Sequence, residues 1–268
     1  MSPGPGGPAL LALDFDGVVC DSVHESSRAT WHAFDTLWPG LGEEPPPGFI
    51  ERCNRLRPVI ESGWENYILA RLIVDGVADA EIADRFQERW CPQVMRRYGL
   101  RKEALVEGFG RARDEWRARD PHAWLDSLPL YPGVGEMLRS HLASGLPLYV
   151  ITTKQTRFAA AILAHHGIDL PASRLLGLET GPKTDSLQRL AREHAIAPGE
   201  IWFVEDRMAT LERAMAVEAL AGLGMFLVDW GYNTEAERAE AIADPRVEVL
   251  DLARFTGPLA GWRGAGAA

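Results

Sequence analysis

Cysteine is scarce in this chain: three residues in 268, at positions 20, 53 and 91. Their number is odd and none of them forms a C-x-x-C pair. Neither a zinc site nor a disulfide framework is legible, and the thiols are expected to be reduced. Basic charge is also in deficit, with 28 Lys and Arg against 38 Asp and Glu, a net of −10. That balance argues against nucleic acid or an anionic membrane surface as the main partner. A small anionic substrate stays open, because local charge decides its binding. The opening stretch, MSPGPGGPALLAL, has no basic residue before its apolar run, which is too short for a signal peptide or a membrane span. Glycine runs such as GPGG lack a nucleotide-binding frame, so no Rossmann fingerprint or P-loop is legible. These absences lead to the expectation of a cytoplasmic protein, while monomer and homodimer both stay open. Its hydrophobic content of 46% and charged content of 25% suit a globular enzyme of one large domain or two small ones.

What is present is an alternation. From residue 129 onward, strand-like apolar runs (147–153, 175–179, 201–206, 224–230 and 247–250) alternate with segments apolar at helical spacing. The latter are PGVGEMLRSHLASG, TRFAAAILAHHG, KTDSLQRLAREHA and MATLERAMAVEALAG, several opening on Pro or Thr and closing on Gly. The pattern implies βαβ units and a doubly wound parallel sheet, a Rossmann-like α/β fold. Residues 9–15 form a first strand of the near-continuous apolar kind that buried parallel strands show. Residues 22–127 break the alternation: they read as helices, contain six of the nine tryptophans, and are interrupted by the loop PGLGEEPPPG at 39–48. A helical insert placed after the first strand is the economical picture. The core is then residues 9–21 and 128–256, with loose termini at 1–8 and 257–268.

The polar residues fall at the strand ends, where ligands of open parallel sheets bind. In ALLALDFDGVVCDS the first strand ends in Asp14 and Asp16; residues at i and i+2 share a side, and Phe15 between them turns into the core. Two adjacent carboxylates repel unless a positive charge lies with them, and magnesium is a cation that prefers such oxygens. The second strand ends in Thr152, Thr153 and Lys154, the run at 201–206 in Glu205 and Asp206, and Lys183 opens a helix between them. Each has a structural explanation of its own, such as a helix cap or a solvated charge, but their joint placement points to a site.

The segments DFDGV, YVITTK, PKTDSL and WFVED, in this order and spacing, resemble the four motifs of the haloacid dehalogenase superfamily. More closely, the chain resembles its phosphatase and mutase branch with a helical cap after the first strand, and MFLVDWGYN is similar to the fifth-strand segment of phosphoglycolate phosphatase-like members. The resemblance implies hydrolysis of a small phosphorylated metabolite. Asp14 would be the nucleophile, forming an aspartyl phosphate, and Asp16 the general acid and base. Members that are dehalogenases or phosphonatases lack an aspartate at this second position. Thr152, Thr153 and Lys183 would hold the phosphoryl oxygens. Mg2+ would be held by Asp14, the backbone carbonyl of Asp16 and Asp206, with Glu205 as a ligand or a neighbour of one. Thr210 stands where many members carry a second acid, whereas the β-phosphoglucomutase-like members use a Glu–Asp pair such as Glu205–Asp206. A phosphosugar mutase is therefore an alternative, and a catalytically retired binding core another.

The cap should exclude water and choose the leaving group, with junctions at 17–22 and about 125–131. Within it Arg52, Arg55 and Arg57 suit a carboxylate or a second phosphate, or form a solvated helix face. Trp64 and Tyr67 are cap core or a stacking surface, and His24 lies just past the nucleophile loop.

Overall fold

The computed structural model describes residues 7–263 apart from 41 and 43. The chain enters through β1 (Leu10–Leu13), whose four apolar residues are all buried, and then leaves the sheet for more than a hundred residues. Ser22–Pro129 forms one compact unit, and the described residues up to Asp21 and from Leu130 onward form a second.

Ser22–Pro129 is helical throughout its regular structure: α1 (Val23–Leu37), α2 (Phe49–Arg55), α3 (Asn66–Val74), α4 (Asp79–Asp84), α5 (Cys91–Tyr98), α6 (Lys102–Arg119) and α7 (Pro121–Asp126). Its interior is aromatic, with Trp31, Phe34, Phe49, Tyr67, Phe109, Trp116 and Trp124 buried. A buried ion pair ties two of its helices together. Arg113 of α6 grips the Glu25 carboxylate of α1 with Nε at 2.8 Å and Nη2 at 2.7 Å, and Trp124 Nε1 donates to Glu25 Oε1 at 3.1 Å. A carboxylate with no exposed surface is tolerable only with such pairing. The stretch at 39–48 carries no helix or strand among its described residues.

The second unit continues with α8 (Val134–Ser144), β2 (Leu148–Ile151), α9 (Thr156–His165), β3 (Leu175–Leu176), α10 (Lys183–His194), β4 (Ile201–Glu205), α11 (Met208–Met215), β5 (Gly224–Val228), α12 (Glu235–Ala243), β6 (Val247–Leu250) and α13 (Leu252–Thr256). The six strands are parallel, in the order β3-β2-β1-β4-β5-β6. Both faces are covered: Leu10, Ala12, Ile201 and Phe203 pack into one apolar layer with Leu187, Leu190 and Leu211, while Trp202 and Phe226 turn the other way. That double burial is why the strands read as unbroken apolar runs. The order reverses at β1 and β4, and open sheets of this kind bind ligands at such a switch point. Leu13 of β1 is in register with Val204 of β4, so Asp14 and Glu205 follow side by side.

The tail departs from expectation. Of the residues expected to be loose, 1–6 and 264–268 lie outside the described residues; Pro8 and Trp262 are buried, while Pro258, Ala260 and Gly261 are exposed. Leu259–Gly261 forms a helical turn that delivers Trp262, fully buried, against Trp202 at 5.8 Å, Phe226 at 5.6 Å and Phe255 at 5.1 Å between ring centroids. Composition alone suggested a loose tail, and one large apolar ring outweighed it. Cys20, Cys53 and Cys91 are buried free thiols, and burial pushes the Cys53 thiol up to about 12. No helix among the described residues is long and apolar enough to cross a membrane.

Candidate active site

The site begins where β1 ends. Asp14 continues the parallel pairing by donating its N–H to Val204 O at 2.9 Å, and its carboxyl emerges beyond the sheet, 6% exposed. Phe15 turns back into the core with no exposed surface. The chain then reverses through Gly17, at φ +89°, whose N–H reaches Cys20 O at 2.9 Å. A Cβ at Gly17 would overlap Asp206 Oδ2, so the turn needs glycine both for its dihedral and for its closeness to that carboxylate.

Each of the two aspartates meets its own lysine. Lys183, the first residue of α10, places Nζ 2.6 Å from Asp14 Oδ1 and also meets Glu205 Oε1. Lys154, just past β2, places Nζ 2.8 Å from Asp16 Oδ1. Both ammonium groups are nearly enclosed, their side chains 12% and 1% exposed. The expected repulsion is thus met by two cations of the chain itself. Burial nevertheless pushes the Asp14 carboxyl up to about 7 against the pull of Lys183, with Glu205 and Asp16 adding to the rise. Burial likewise raises Glu205, and the two carboxylates hold the Lys183 ammonium firmly charged.

Asp14, Glu205 and Asp206, all buried, bring one ligand atom each within 4.8 Å of one another, a set fit to hold a cation. Glu205 already engages both oxygens: Oε1 meets Lys183, and Oε2 accepts the N–H groups of Asp206 at 3.0 Å and Arg207 at 3.2 Å. Asp206 is held from the loop after β5, where the Tyr232 N–H donates to its Oδ2 at 2.8 Å and Asn233 Nδ2 donates to its backbone O at 2.9 Å. Thr152 is buried and its Oγ1 accepts the Lys154 N–H at 3.0 Å, whereas Thr153 is exposed. Thr210 accepts from Arg213 Nη2 at 3.1 Å, in its own helix.

Asp14, Glu205, Asp206 and Lys183 are therefore brought together, and Asp16, whose charge acts on Asp14, pairs with Lys154. The arginines lie in the helical unit. Arg52 donates to Asp79 and to the carbonyls of Ile73 and Val77, Arg55 donates to Asp79 at 3.1 Å, and Arg57 donates to Ile60 O at 2.8 Å. Trp64 and Tyr67 are buried, as core residues are, and His24 Nδ1 lies 3.2 Å from Asn54 Nδ2. The sequence reading gave Lys154 no task and missed Tyr232 and Asn233. A signal existed for the last two, since Gly-Tyr-Asn comes after the end of a strand with two residues between them.

The model of the haloacid dehalogenase-like hydrolase family matches residues 8–216. A phosphoglycolate phosphatase of Vibrio vulnificus is 29% identical over 252 residues, covering 91% of this chain and 95% of the relative. One of Pseudomonas syringae pv. tomato is 24% identical over 252 residues, covering 92% and 78%. Among solved structures, a predicted phosphoglycolate phosphatase of Haemophilus somnus superposes with a TM-score of 0.59 at 21% identity, over 87% of this chain and 90% of that one. A predicted phosphatase of Clostridium acetobutylicum gives 0.59 at 16% identity, over 93% and 97%. With its parallel sheet, its strand-end carboxylates and the family match over most of its length, the chain belongs to the haloacid dehalogenase-like hydrolases.

Proposed function

We propose that the chain is a magnesium-dependent phosphatase of small cytoplasmic phosphate monoesters, with 2-phosphoglycolate as the first candidate. One observation carries the reading: two aspartates one residue apart, each paired with a buried lysine, beside a second acidic pair on the neighbouring strand. The names of the relatives, and the second aspartate itself, favour phosphoester chemistry over dehalogenation.

Asp14 attacks phosphorus and becomes an aspartyl phosphate. Asp16 protonates the departing oxygen, then takes a proton from the water that hydrolyses the intermediate. Thr152, Thr153 and Lys183 orient the phosphoryl oxygens, since this chemistry depends mostly on positioning and charge neutralisation. Four carboxylates face two ammonium groups, leaving negative charge that a divalent cation would balance. All-oxygen donors suit magnesium. Asp14, Asp206 and the backbone carbonyl of Asp16 would hold it, with Glu205 able to join by exchanging Lys183. When bound, it neutralises charge on the transferring phosphoryl group.

The test is phosphate release from a panel of phosphorylated metabolites, with and without magnesium, alongside Asp14→Asn. Magnesium-dependent release that the substitution abolishes supports the reading. A folded, magnesium-binding protein that releases no phosphate overturns it, and an isomerised sugar phosphate as product would assign a mutase instead.

A further inference from the structure

Lys154 is a second buried lysine at the site, and the reaction described above gives it no task. Its side chain is 1% exposed, and lysine is rarely enclosed without a partner to repay its desolvation. Both of its backbone polar groups are tied: the N–H donates to Thr152 Oγ1 at 3.0 Å, and the carbonyl accepts the Leu178 N–H at 3.0 Å. The approach of Gly177 closes the loop further, because a Cβ there would overlap Thr156 and come within 2.9 Å of Lys154 O. The stem of Lys154 is thus fixed at its root, and its Nζ ends 2.8 Å from Asp16 Oδ1. Asp16 itself sits in a glycine turn and is 16% exposed in its side chain, and this contact ties its carboxylate to the end of β2.

We propose that Lys154 is the positioning residue for Asp16. It pins one carboxyl oxygen so that the other is presented to the leaving group. The inference rests on the phosphatase reading. In the first half-reaction an Asp14 oxygen forms a bond to phosphorus and the P–O ester bond breaks, its electron pair staying on the leaving oxygen. That oxygen takes the Asp16 carboxyl proton, and Asp16 becomes the carboxylate that Lys154 holds. In the second half, water attacks phosphorus, Asp16 takes its proton, and the Asp14–phosphate bond breaks to release phosphate. Lys154 neither gains nor loses a proton.

A misplaced general acid matters only when the leaving group needs a proton. An alkoxide does; a nitrophenolate departs without one. General acid catalysis contributes ~10²–10⁴-fold, so its misplacement should forfeit a large part of that. The experiment compares kcat/KM for 2-phosphoglycolate, or another alkyl phosphate the wild-type protein hydrolyses, with kcat/KM for p-nitrophenyl phosphate. It uses the whole chain with magnesium and the variants Lys154→Met and Lys154→Gln. Lys154→Met should lose about 30-fold or more on the alkyl ester and less than about 3-fold on the aryl ester, consistent with loss of the acid alone. Retained aryl hydrolysis also shows that fold, nucleophile and cation site survive. Lys154→Gln, which keeps an N–H donor, should recover part of the alkyl rate.

Equal losses on both esters, or none on either, would overturn the proposal. A glutamine variant no better than methionine would also overturn it, since charge and not placement would then be the role. A wild-type protein that hydrolyses neither ester refutes the phosphatase reading, and the proposal with it. That outcome is separate from a failure of the variants.

Discussion

Lys183 Nζ lies 2.6 Å from Asp14 Oδ1 and also meets Glu205 Oε1, so one buried ammonium ties the end of β1 to the end of β4. These strands are neighbours across the switch point of the sheet, and helix α10 supplies the lysine that joins them. Removing it leaves two buried carboxylates facing each other. Lys183→Met should therefore lower phosphatase kcat/KM by about 10²-fold or more. It should also destabilise the metal-free protein by about 3–5 kcal/mol, the range for breaking a buried pair from one side. Urea unfolding with and without magnesium checks this, and magnesium should return part of the loss.

The metal-free protein should lose stability as pH rises toward neutrality. Asp14 lies at about 7 in the folded chain, above its ordinary 3.8. Between those values the folded state keeps a proton that the unfolded state has released, so stability falls through the window and levels off above it. Glu205, also raised, acts in the same sense, while Lys183 stays charged throughout. Thermal melts in a chelator from about pH 5 to about pH 8 should show a declining Tm, and magnesium should flatten the decline. A melting temperature that climbs with pH in the chelator contradicts this account.

Gly231→Ala should weaken magnesium binding at least ~10-fold, as loss of a contact supporting a ligand typically does. A Cβ there would overlap Asp206 Cβ and come within 2.8 Å of Gly17 O, displacing the carboxylate that Tyr232 N–H orients. Calorimetric titration of the folded variant measures it. Unchanged affinity would mean that Asp206 does not ligate.

Trp262→Ala should destabilise the α/β unit by about 3–5 kcal/mol, as large aromatic truncations in a core do. The residue is fully buried among Trp202, Phe226 and Phe255. Denaturant midpoints compare it with the intact chain, and a loss below ~1 kcal/mol would show that the ring contributes little.

Arg52→Met should reduce the stability of the helical unit by about 1–3 kcal/mol, because Asp79 is left with Arg55 alone and the carbonyls of Ile73 and Val77 each lose a donor. KM should change by less than about 3-fold if this arginine only braces α2. A large KM increase with unchanged stability would instead assign Arg52 to the substrate.

The sequence by itself determined the parallel sheet, the place of the helical insert and the identity of the strand-end carboxylates. Apolar runs buried on both faces leave an unbroken signal, and a strand that ends in Asp14-Phe15-Asp16 can direct those groups only beyond the sheet. The tertiary structure decided what lies against each carboxylate. Lys154 and Asp16 are 138 residues apart, and Lys183 and Asp14 are 169 apart, so no local spacing encodes either pair. It decided that Arg52 and Arg55 converge on Asp79 and that Trp262 completes a core, since both depend on which helices and rings pack together. Periodicity reports the environment of a residue along its own element; partners brought in by other elements exist only once the chain has folded.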